Sequence, residues 1–367
     1  MLAEENKLLA AFTTFGIGGP ARWFVEATSE EEVAAAAAWA GERGVELFVL
    51  GGGSNLLVSD AGFDGLVLRV RMRGILAMSA PDDSGEADQR IYRVAAGEDW
   101  DTFVKRTVLE NCAGIECLAG IPGTVGGTPV QNVGAYGQEV ASVIERVRAY
   151  DIHEHVFVEF ASAECGFAYR RSRFNSEDRG RYIVTRVDYR LTHGGAPTLR
   201  YAELQRAFPE GVRPSLAEVA AQVRVIRLAK GMLIVEGDPD CRSAGSFFKN
   251  PVVTEEQFQR IAASGKDEPP RFPAGAETEN QGQIKVPAAW LIERAGFAKG
   301  YALGKAAISS RHTLALVNFG DQNGLVNQEG RGGASAAEIL ALASQITTAV
   351  EGRFGIRLEM EPVRVGF

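Results

Sequence analysis

The chain has 367 residues, too many for one hydrophobic core of ordinary size, so we expect two or three domains. Hydrophobic residues make up 46% of the chain and charged residues 23%, which is typical of a soluble globular protein. No apolar run approaches the ~20 residues of a membrane-spanning helix, and the first residues lack the basic flank and cleavage site of a signal peptide. The net charge of -8 argues against nucleic acid as a partner. We therefore expect a cytoplasmic protein without membrane insertion.

The first predicted elements alternate between helix and strand. Ser29 and Glu32 form a capping box that begins a helix, and Gly44 ends it after about Arg43. The following pattern predicts strands over 45–50 and 66–70, an exposed loop over 71–90, a strand over 91–97 and a helix over 98–110.

The pattern changes from strands to helices near residue 197, which indicates a separate domain. Strands are predicted over 143–151, 155–160 and 181–191, helices over 215–230, 254–263, 286–296 and 335–353, and a last strand over 356–365.

The cysteines Cys112, Cys117, Cys165 and Cys241 have no regular spacing, and reduced thiols are expected. Cys112 and Cys117 could form half of a metal site, but no second Cys or His pair has matching spacing. We therefore expect no metal.

Glycines cluster at 16–19, 51–53 and 120–137, which indicates that backbone approaches a ligand closely. GGGSN at 51–55 lies between two predicted strands, unlike the strand-to-helix glycine motif of dinucleotide-binding folds. It is either a tight hairpin or a nest of amide groups that binds phosphate oxygens. The stretch 119–137 is almost free of charge, and we expect that it cannot easily satisfy its own amides. It is either a buried crossover or a surface for a flat ligand such as a flavin.

Six motifs occur in order along nearly the whole chain. They are TTFGIGGPA at 13–21, VLGGGSNLLVSD at 49–60, AGIPGTVGGTPVQNVGAYG at 119–137, FAYRRSRF at 167–174, AGSFFKNP at 244–251 and LEMEP at 358–362. Together they resemble the UDP-N-acetylenolpyruvoylglucosamine reductases, flavoenzymes of bacterial cell-wall precursor synthesis. The ordered set is far more specific than any one of its motifs.

The resemblance implies an α+β protein with an FAD-binding fold of the vanillyl-alcohol oxidase (PCMH) type in two subdomains, and a separate α+β substrate-binding domain. The implied bounds are 1–70 with the C-terminal strand 355–367 for the first subdomain, 71–213 with a tyrosine loop for the second, and 214–354 for the substrate-binding domain. The implied reaction uses NADPH and non-covalent FAD to reduce UDP-N-acetylglucosamine enolpyruvate to UDP-N-acetylmuramate. A monomer is expected.

Three residues are implied to act on the enolpyruvyl group. Ser246 resembles the family's proton donor, and Gly245 before it lets the backbone approach closely. Arg170 resembles the catalytic arginine, whose planar guanidinium suits a carboxylate that gains negative charge. Glu359 and Glu361 would lie on the same face of the predicted strand, so the strand pattern does not separate them. The resemblance implies Glu361, because the family's glutamate stands five residues before a near-terminal glycine and Glu361 stands five before Gly366.

Taken alone, these residues also have structural explanations. A serine after a glycine, such as Ser246, is typical of a turn or helix cap. The arginines around Arg170 are typical of a solvated basic patch. We expect Phe247 and Phe248 to anchor the serine segment in apolar surroundings, and Lys249 to lower the cost of a transient alkoxide.

The cofactor and substrate residues follow from the same resemblance. The implied FAD contacts are Gly51, Gly52, Gly53, Ser54, Asn55, Leu56, Gly120, Ile121, Pro122, Gly123, Thr124, Gly126, Gly127, Gly134 and Ala135, and the implied substrate contacts are Tyr169, Tyr201, Arg227, Lys230 and Asn250. Tyr201 resembles the tyrosine of the mobile loop, and Asn250 the uridine contact. Arg227 and Lys230 resemble contacts to diphosphate and sugar, although a solvated basic helix face would also explain them.

Two features depart from the family pattern: the connection 230–243 is longer than in some members, and Lys305 stands where small residues are usual. Two rival functions are a flavin oxidase and a binding module without chemistry. Covalent flavin is not expected because His153, His155, His193 and His312 lie outside the glycine-rich stretches. The presence of Ser246, Arg170 and Glu361 together argues against the binding module.

Overall fold

The structure, a computed structural model, describes residues 3–79, 88–209, 211–264, 267–274, 282–320 and 332–367. The chain forms two units. Unit 1 comprises residues 1–7, 21–52 and 64–229, and unit 2 comprises residues 8–20, 53–63 and 230–367. The division into 1–70, 71–213 and 214–354 stays a prediction.

The described residues form helices and strands of varied length. The helices are α1 (Glu30–Arg43), α2 (Trp100–Leu109), α3 (Ala202–Ala207), α4 (Leu216–Ala229), α5 (Glu255–Ala263), α6 (Ala288–Arg294) and α7 (Ala336–Phe354). The strands are β1 (Glu4–Leu8), β2 (Pro20–Ala27), β3 (Leu47–Leu50), β4 (Leu56–Val58), β5 (Phe63–Val70), β6 (Ile75–Ser79), β7 (Gln89–Ala95), β8 (Cys112–Ala113), β9 (Gly134–Ala135), β10 (Gln138–Glu139), β11 (Ile144–Asp151), β12 (Val156–Ala161), β13 (Tyr182–His193), β14 (Val252–Val253), β15 (Phe272–Pro273), β16 (Ile284–Lys285), β17 (Ala302–Leu303), β18 (Ala306–Ile308), β19 (Leu316–Asn318) and β20 (Val363–Val365).

Unit 1 contains two main sheets. The first has the strand order β1-β2-β5-β3, with β3 and β5 parallel. The second has the order β12-β11-β13-β7-β6, and β8 also pairs with β13. The pairs in this second sheet are antiparallel. Buried aromatic side chains, among them Trp100 and Tyr189, fill the core of unit 1.

Unit 2 combines short sheets with the long helix α7. β20 pairs in parallel with β4, so the C-terminal strand joins a segment that directly follows GGGSN. Two three-stranded sheets have the orders β14-β16-β15 and β17-β18-β19. Phe247 and Phe248 are each 1% exposed in the core of this unit, which confirms that they anchor the serine segment.

The capping signals act largely as expected. Ser29 Oγ accepts a hydrogen bond from the amide of Glu32 at the start of α1, and Gly44 ends the helix in a left-handed conformation. The Glu32 carboxylate, however, accepts from Thr28 rather than from Ser29. Ser335 and Glu338 form the complete capping box at the start of α7.

Two sequence-based assignments were wrong. The segment 71–90 contains the strand β6, although it was predicted as an exposed loop, and residues 80–87 of that prediction lie outside the described residues. The predicted strand 356–365 is a strand only at Val363–Val365. Pro362 directly precedes that strand and has no backbone N–H to donate to a ladder.

All four cysteines are free thiols, and burial raises the pKa of Cys165 to about 12. Within the described ranges, no cluster of three or more His, Cys, Asp or Glu side chains could hold a metal ion. No helix in that part of the chain is long and apolar enough to cross a membrane.

Candidate active site

The two glycine-rich stretches meet within unit 1. A Cβ atom placed on Gly52 would lie 2.5 Å from the Cα of Gly123, and one on Gly51 would lie 2.9 Å from Thr124 Oγ1. Only glycine permits this approach of backbone to backbone. The structure therefore brings together two predicted cofactor loops that are about seventy positions apart in the chain.

The amides of the first loop are available to a ligand. Among the described residues, the backbone N–H groups of Gly52, Gly53 and Ser54 donate no hydrogen bond. Gly53 has a φ of 64°, a left-handed conformation that favours glycine. Successive free amides in such a turn suit phosphate oxygens, so this loop fits the diphosphate of a dinucleotide cofactor.

The second loop differs from the expectation that its amides would be hard to satisfy. Gly120 donates to Asp101 Oδ1 at 2.6 Å, Gly126 donates to the Ala96 carbonyl at 2.8 Å, and Gly127 donates to the Thr124 carbonyl at 3.0 Å. Acceptors outside the stretch serve Gly120 and Gly126, and an acceptor inside it serves Gly127, so these three amides are satisfied without a ligand. The glycines serve close packing here, since a Cβ on Gly126 would lie 2.6 Å from the Ala96 Cβ.

Ser246 follows a left-handed glycine and precedes the two buried phenylalanines. Gly245 has a φ of 75°, and Ser246 is partly buried. The Ser246 hydroxyl makes no hydrogen bond within the described part of the chain, so it caps no turn or helix there. A serine that forms no cap, on a segment fixed by its neighbours, is suited to a ligand.

Unit 2 brings Glu361 to the same segment as Ser246. The Glu361 amide donates to the Phe247 carbonyl at 2.9 Å, and the Lys249 amide donates to the Glu359 carbonyl at 2.9 Å. Asn55 fixes this segment further, because its Nδ2 donates to the Glu361 carbonyl at 3.4 Å. Glu361 therefore lies beside a residue of the glycine loop and beside the residue that follows Ser246.

The side-chain environments separate Glu361 from Glu359. The Glu359 side chain is 75% exposed and forms an ion pair with Lys249 Nζ at 3.3 Å, whereas Glu361 is only partly exposed. Lys249 is thus placed against an exposed carboxylate, and this contact gives no support to the predicted alkoxide role.

Arg170 lies in a strained turn of unit 1. Its φ is 57°, and its carbonyl accepts a hydrogen bond from Asn175 Nδ2 at 3.1 Å. Its guanidinium carbon lies 5.5 Å from the centre of the Tyr169 ring. A non-glycine residue held in this conformation is typical of functional sites.

The two neighbouring arginines have acidic partners. Arg171 forms an ion pair with Glu177, and Arg173 contacts Asp178 at 2.7 Å and lies over the Phe160 ring. The arginine cluster is therefore not one uniform basic patch.

Arg227 is not part of a solvated face, because it is 7% exposed. Its Nε donates to the Gly120 carbonyl at 3.1 Å in unit 1. Burial lowers the pKa of the guanidinium, and interaction with Tyr136 opposes this shift. Lys230 follows the last residue of α4 and belongs to unit 2.

Tyr136 contacts a predicted substrate residue, although it was not itself among the predicted contacts. Its ring lies edge-on to that of Tyr201, with 5.2 Å between centroids, and Tyr201 is 40% exposed. Tyr136 also has a φ of 50°. Its position between Ala135 and Gly137 was the available signal, since a bulky residue within a glycine-rich stretch is unusual.

Asn250 has a structural contact in unit 2. Its Oδ1 accepts a hydrogen bond from the Ala288 amide at 2.9 Å, at the first residue of α6. This contact fixes the orientation of the amide group, and its predicted uridine contact stays a prediction.

Two family models match the chain. One is described as an FAD binding domain and matches residues 21–154, and the other is described as the C-terminal domain of UDP-N-acetylenolpyruvoylglucosamine reductase and matches residues 238–365. The reductase of Streptomyces coelicolor is 44% identical, over 98% of this chain and 89% of its own length. This chain belongs to the UDP-N-acetylenolpyruvoylglucosamine reductase family.

Further members of the reductase family agree. The Thermobifida fusca reductase is 44% identical over 99% of this chain and 98% of its own length. The crystal structure of the Thermus caldophilus reductase matches with a TM-score of 0.63 and 27% identity, over 100% of this chain and 99% of that one. The expected α+β flavoprotein fold is confirmed. The chain is an FAD-dependent oxidoreductase of peptidoglycan synthesis.

Proposed function

We propose that this reductase converts UDP-N-acetylglucosamine enolpyruvate to UDP-N-acetylmuramate with NADPH as the electron source. The glycine-rich loops around Gly52 and Gly123 would hold FAD without a covalent link, and the bound flavin would supply two-electron transfer from NADPH to the carbon–carbon double bond of the substrate. The net change adds one hydride and one proton across that double bond. The chain must therefore hold the enolpyruvyl carboxylate and supply the proton.

Ser246 supplies the proton to the carbon that carries the carboxylate. This role rests on three observations: Ser246 is partly buried, its hydroxyl makes no hydrogen bond among the described residues, and it follows a left-handed glycine. Serine is a weak acid, so its placement must provide most of the rate enhancement.

Arg170 stabilises the negative charge that develops on the substrate, and Glu361 helps to polarise or protonate the intermediate. Arg170 balances the carboxylate, which gains electron density as the double bond is reduced. Glu361 acts as the acidic partner beside the Ser246 segment, and its backbone contacts with Phe247 and Asn55 support this position. Tyr169, Tyr201, Arg227, Lys230 and Asn250 bind the rest of the substrate.

The two half-reactions can be measured separately. Anaerobic NADPH should bleach the flavin absorbance, and the enolpyruvyl UDP-sugar should then restore it with a product two hydrogens heavier. We expect Ser246→Ala to leave bleaching nearly unchanged and to slow reoxidation by about 10²- to 10⁴-fold, since only protonation is removed.

A matched control is Ser264→Ala, because the one hydrogen bond that its hydroxyl makes among the described residues goes to the Ile261 carbonyl beside the end of α5. This variant should leave both half-reactions unchanged. Equal damage to both half-reactions in Ser246→Ala would contradict the proton-donor role.

The monomeric state and the cytoplasmic location stay predictions, and size-exclusion chromatography would test the first.

A further inference from the structure

Thr14 connects the glycine loop to the segment that carries Ser246. Its Oγ1 donates to the Ser243 carbonyl at 2.6 Å, and its amide donates to the Gly53 carbonyl at 3.0 Å. All of these residues belong to unit 2. Thr14 lies in the TTFGIGG motif, to which the proposed reaction assigns no role.

The orientation of Ser246 depends on what holds the chain on either side of it. On the C-terminal side, the Phe247 amide donates to the Leu314 carbonyl at 2.7 Å and its carbonyl accepts from Glu361. On the N-terminal side, Ser243 is 6% exposed, and its Oγ accepts from the Gly245 amide at 3.2 Å. Thr14 holds the carbonyl of that same Ser243.

Asn318 makes the position of Thr14 rigid. It is 1% exposed; its Nδ2 donates to the Phe15 carbonyl at 3.0 Å and its amide donates to the Arg242 carbonyl at 2.9 Å. It therefore bridges the chain neighbours of Thr14 and Ser243. These hydrogen bonds of Asn318 fix the backbone on both sides of the contact between the Thr14 hydroxyl and the Ser243 carbonyl.

We propose that Thr14 is a positioning residue for proton donation: its hydroxyl holds Ser243, and through Ser243 and Gly245 it sets the place of the Ser246 hydroxyl. This inference rests on the proton-donor role proposed for Ser246. Transfer of a proton to carbon requires close placement, and a displacement of about 1 Å costs up to about 100-fold in rate. The backbone bond from Thr14 to Gly53 is independent of the side chain, so the two connections can be separated by mutation.

The test uses the FAD-loaded enzyme and the two half-reactions. Thr14→Val keeps the shape of the side chain and the hydrogen bond from its backbone amide to the Gly53 carbonyl, but it removes the hydroxyl. We expect reoxidation by the enolpyruvyl UDP-sugar to slow by about 10- to 100-fold, with reduction by NADPH unchanged. The solvent deuterium isotope effect on reoxidation should rise as protonation becomes rate-limiting. Thr14→Ser, which keeps the hydroxyl, should restore reoxidation.

Thr13→Val is the matched control. The Thr13 hydroxyl donates to the Ile17 carbonyl at 2.9 Å and accepts from the Ile17 amide at 3.2 Å, both within its own turn. This variant should leave reoxidation and its isotope effect unchanged. If Thr14→Val fails to retain FAD, Thr14→Ala is measured instead and must give the same selective loss.

The outcomes distinguish this inference from the proposed function. If Ser246→Ala slows reoxidation but the Thr14 variants behave like Thr13→Val, or slow both half-reactions equally, the positioning role is overturned and the proton donor stands. If Ser246→Ala does not slow reoxidation, the proton-donor role itself fails. A selective loss in Thr14→Val with recovery in Thr14→Ser supports both.

Discussion

Gly52 shows how one missing side chain shapes the cofactor site. A Cβ at this position would meet the Cα of Gly123 at 2.5 Å and its carbonyl carbon at 2.8 Å. Both are backbone atoms, so they cannot move aside as the end of a flexible side chain would. The approach of the two loops therefore depends on this glycine.

We expect Gly52→Ala to weaken FAD binding. The added methyl group would cause overpacking strain of about 1–3 kcal/mol. If the FAD-bound state carries this strain and the free state does not, the affinity for FAD falls by about 5- to 140-fold. Flavin retention on dilution, followed by fluorescence of the released FAD, measures the change. Gly41→Ala is the control, because a Cβ there has nothing within 4 Å. Unchanged flavin retention in Gly52→Ala would show that the loops need not meet.

Residue-scale pairings explain why part of the site could not be predicted from the sequence. The amide of Asn55 contacts the Glu361 carbonyl across 306 positions, and no local pattern indicates such a partner. Arg227 was predicted as a contact to diphosphate and sugar, with a solvated helix face as the alternative. The structure buries Arg227 against the Gly120 carbonyl, and its substrate contact stays a prediction. The resemblance identified the residue types, and tertiary packing decided their environments.

At the scale of elements, helices were predicted better than strands. The six helices predicted from periodicity begin and end within two residues of the observed bounds, because caps such as Ser29 and Ser335 are local signals. β6 was missed because a short strand beside a turn-rich segment is stabilised by its partner β7, which the local sequence does not reveal. The same dependence on partners limits β20 to three residues.

Helix α1 allows a controlled test of what its two glycines do. Gly41 lies inside the helix, whereas Gly44 ends it with a φ of 62°, and a Cβ would have nothing within 4 Å at either position. We expect Gly41→Ala to stabilise unit 1 by roughly 0.5–1 kcal/mol through helix propensity. Gly44→Ala should destabilise it by about 1 kcal/mol, because alanine is strained in the left-handed region. The melting temperatures of both variants are compared with that of the parent chain. Shifts of the same sign in the two variants would contradict the different roles of Gly41 and Gly44.

At the scale of the whole molecule, the chain forms two units, and each residue proposed for catalysis is assigned to one of them. Arg170 belongs to unit 1, and Ser246 and Glu361 belong to unit 2. Each unit has its own hydrophobic core, so the stability of each depends on its own buried contacts. The loop 51–55 belongs partly to each unit, since Gly52 ends a segment of unit 1 and Gly53 begins one of unit 2.

Charged contacts of unit 1 make its stability depend on pH. Burial raises the pKa of the Asp101 carboxyl, but hydrogen bonds from Lys105, Arg224 and the Gly120 amide outweigh it and hold the pKa below the ordinary value of 3.8. Asp101 thus joins α2 and α4 to the second glycine-rich loop. Because the pKa of Asp101 is lower in the folded state, its carboxylate contributes fully to the stability of unit 1 above pH 3.8. This stabilisation is lost as the pH falls through the lower pKa of the folded state.

We expect Asp101→Asn to lower the free energy of unfolding at pH 7 by about 1.5–3 kcal/mol, because a charge-assisted hydrogen bond is lost. The urea midpoint should fall accordingly. The midpoint of the variant should also fall less than that of the parent chain as the pH drops from about 5 to about 3, because asparagine does not titrate there. Asp64→Asn is the control: its carboxylate pairs with Arg22 but is 83% exposed, so its loss should cost little. If Asp101→Asn kept the full acid dependence of the parent chain, the charge of Asp101 would not contribute to the stability of unit 1.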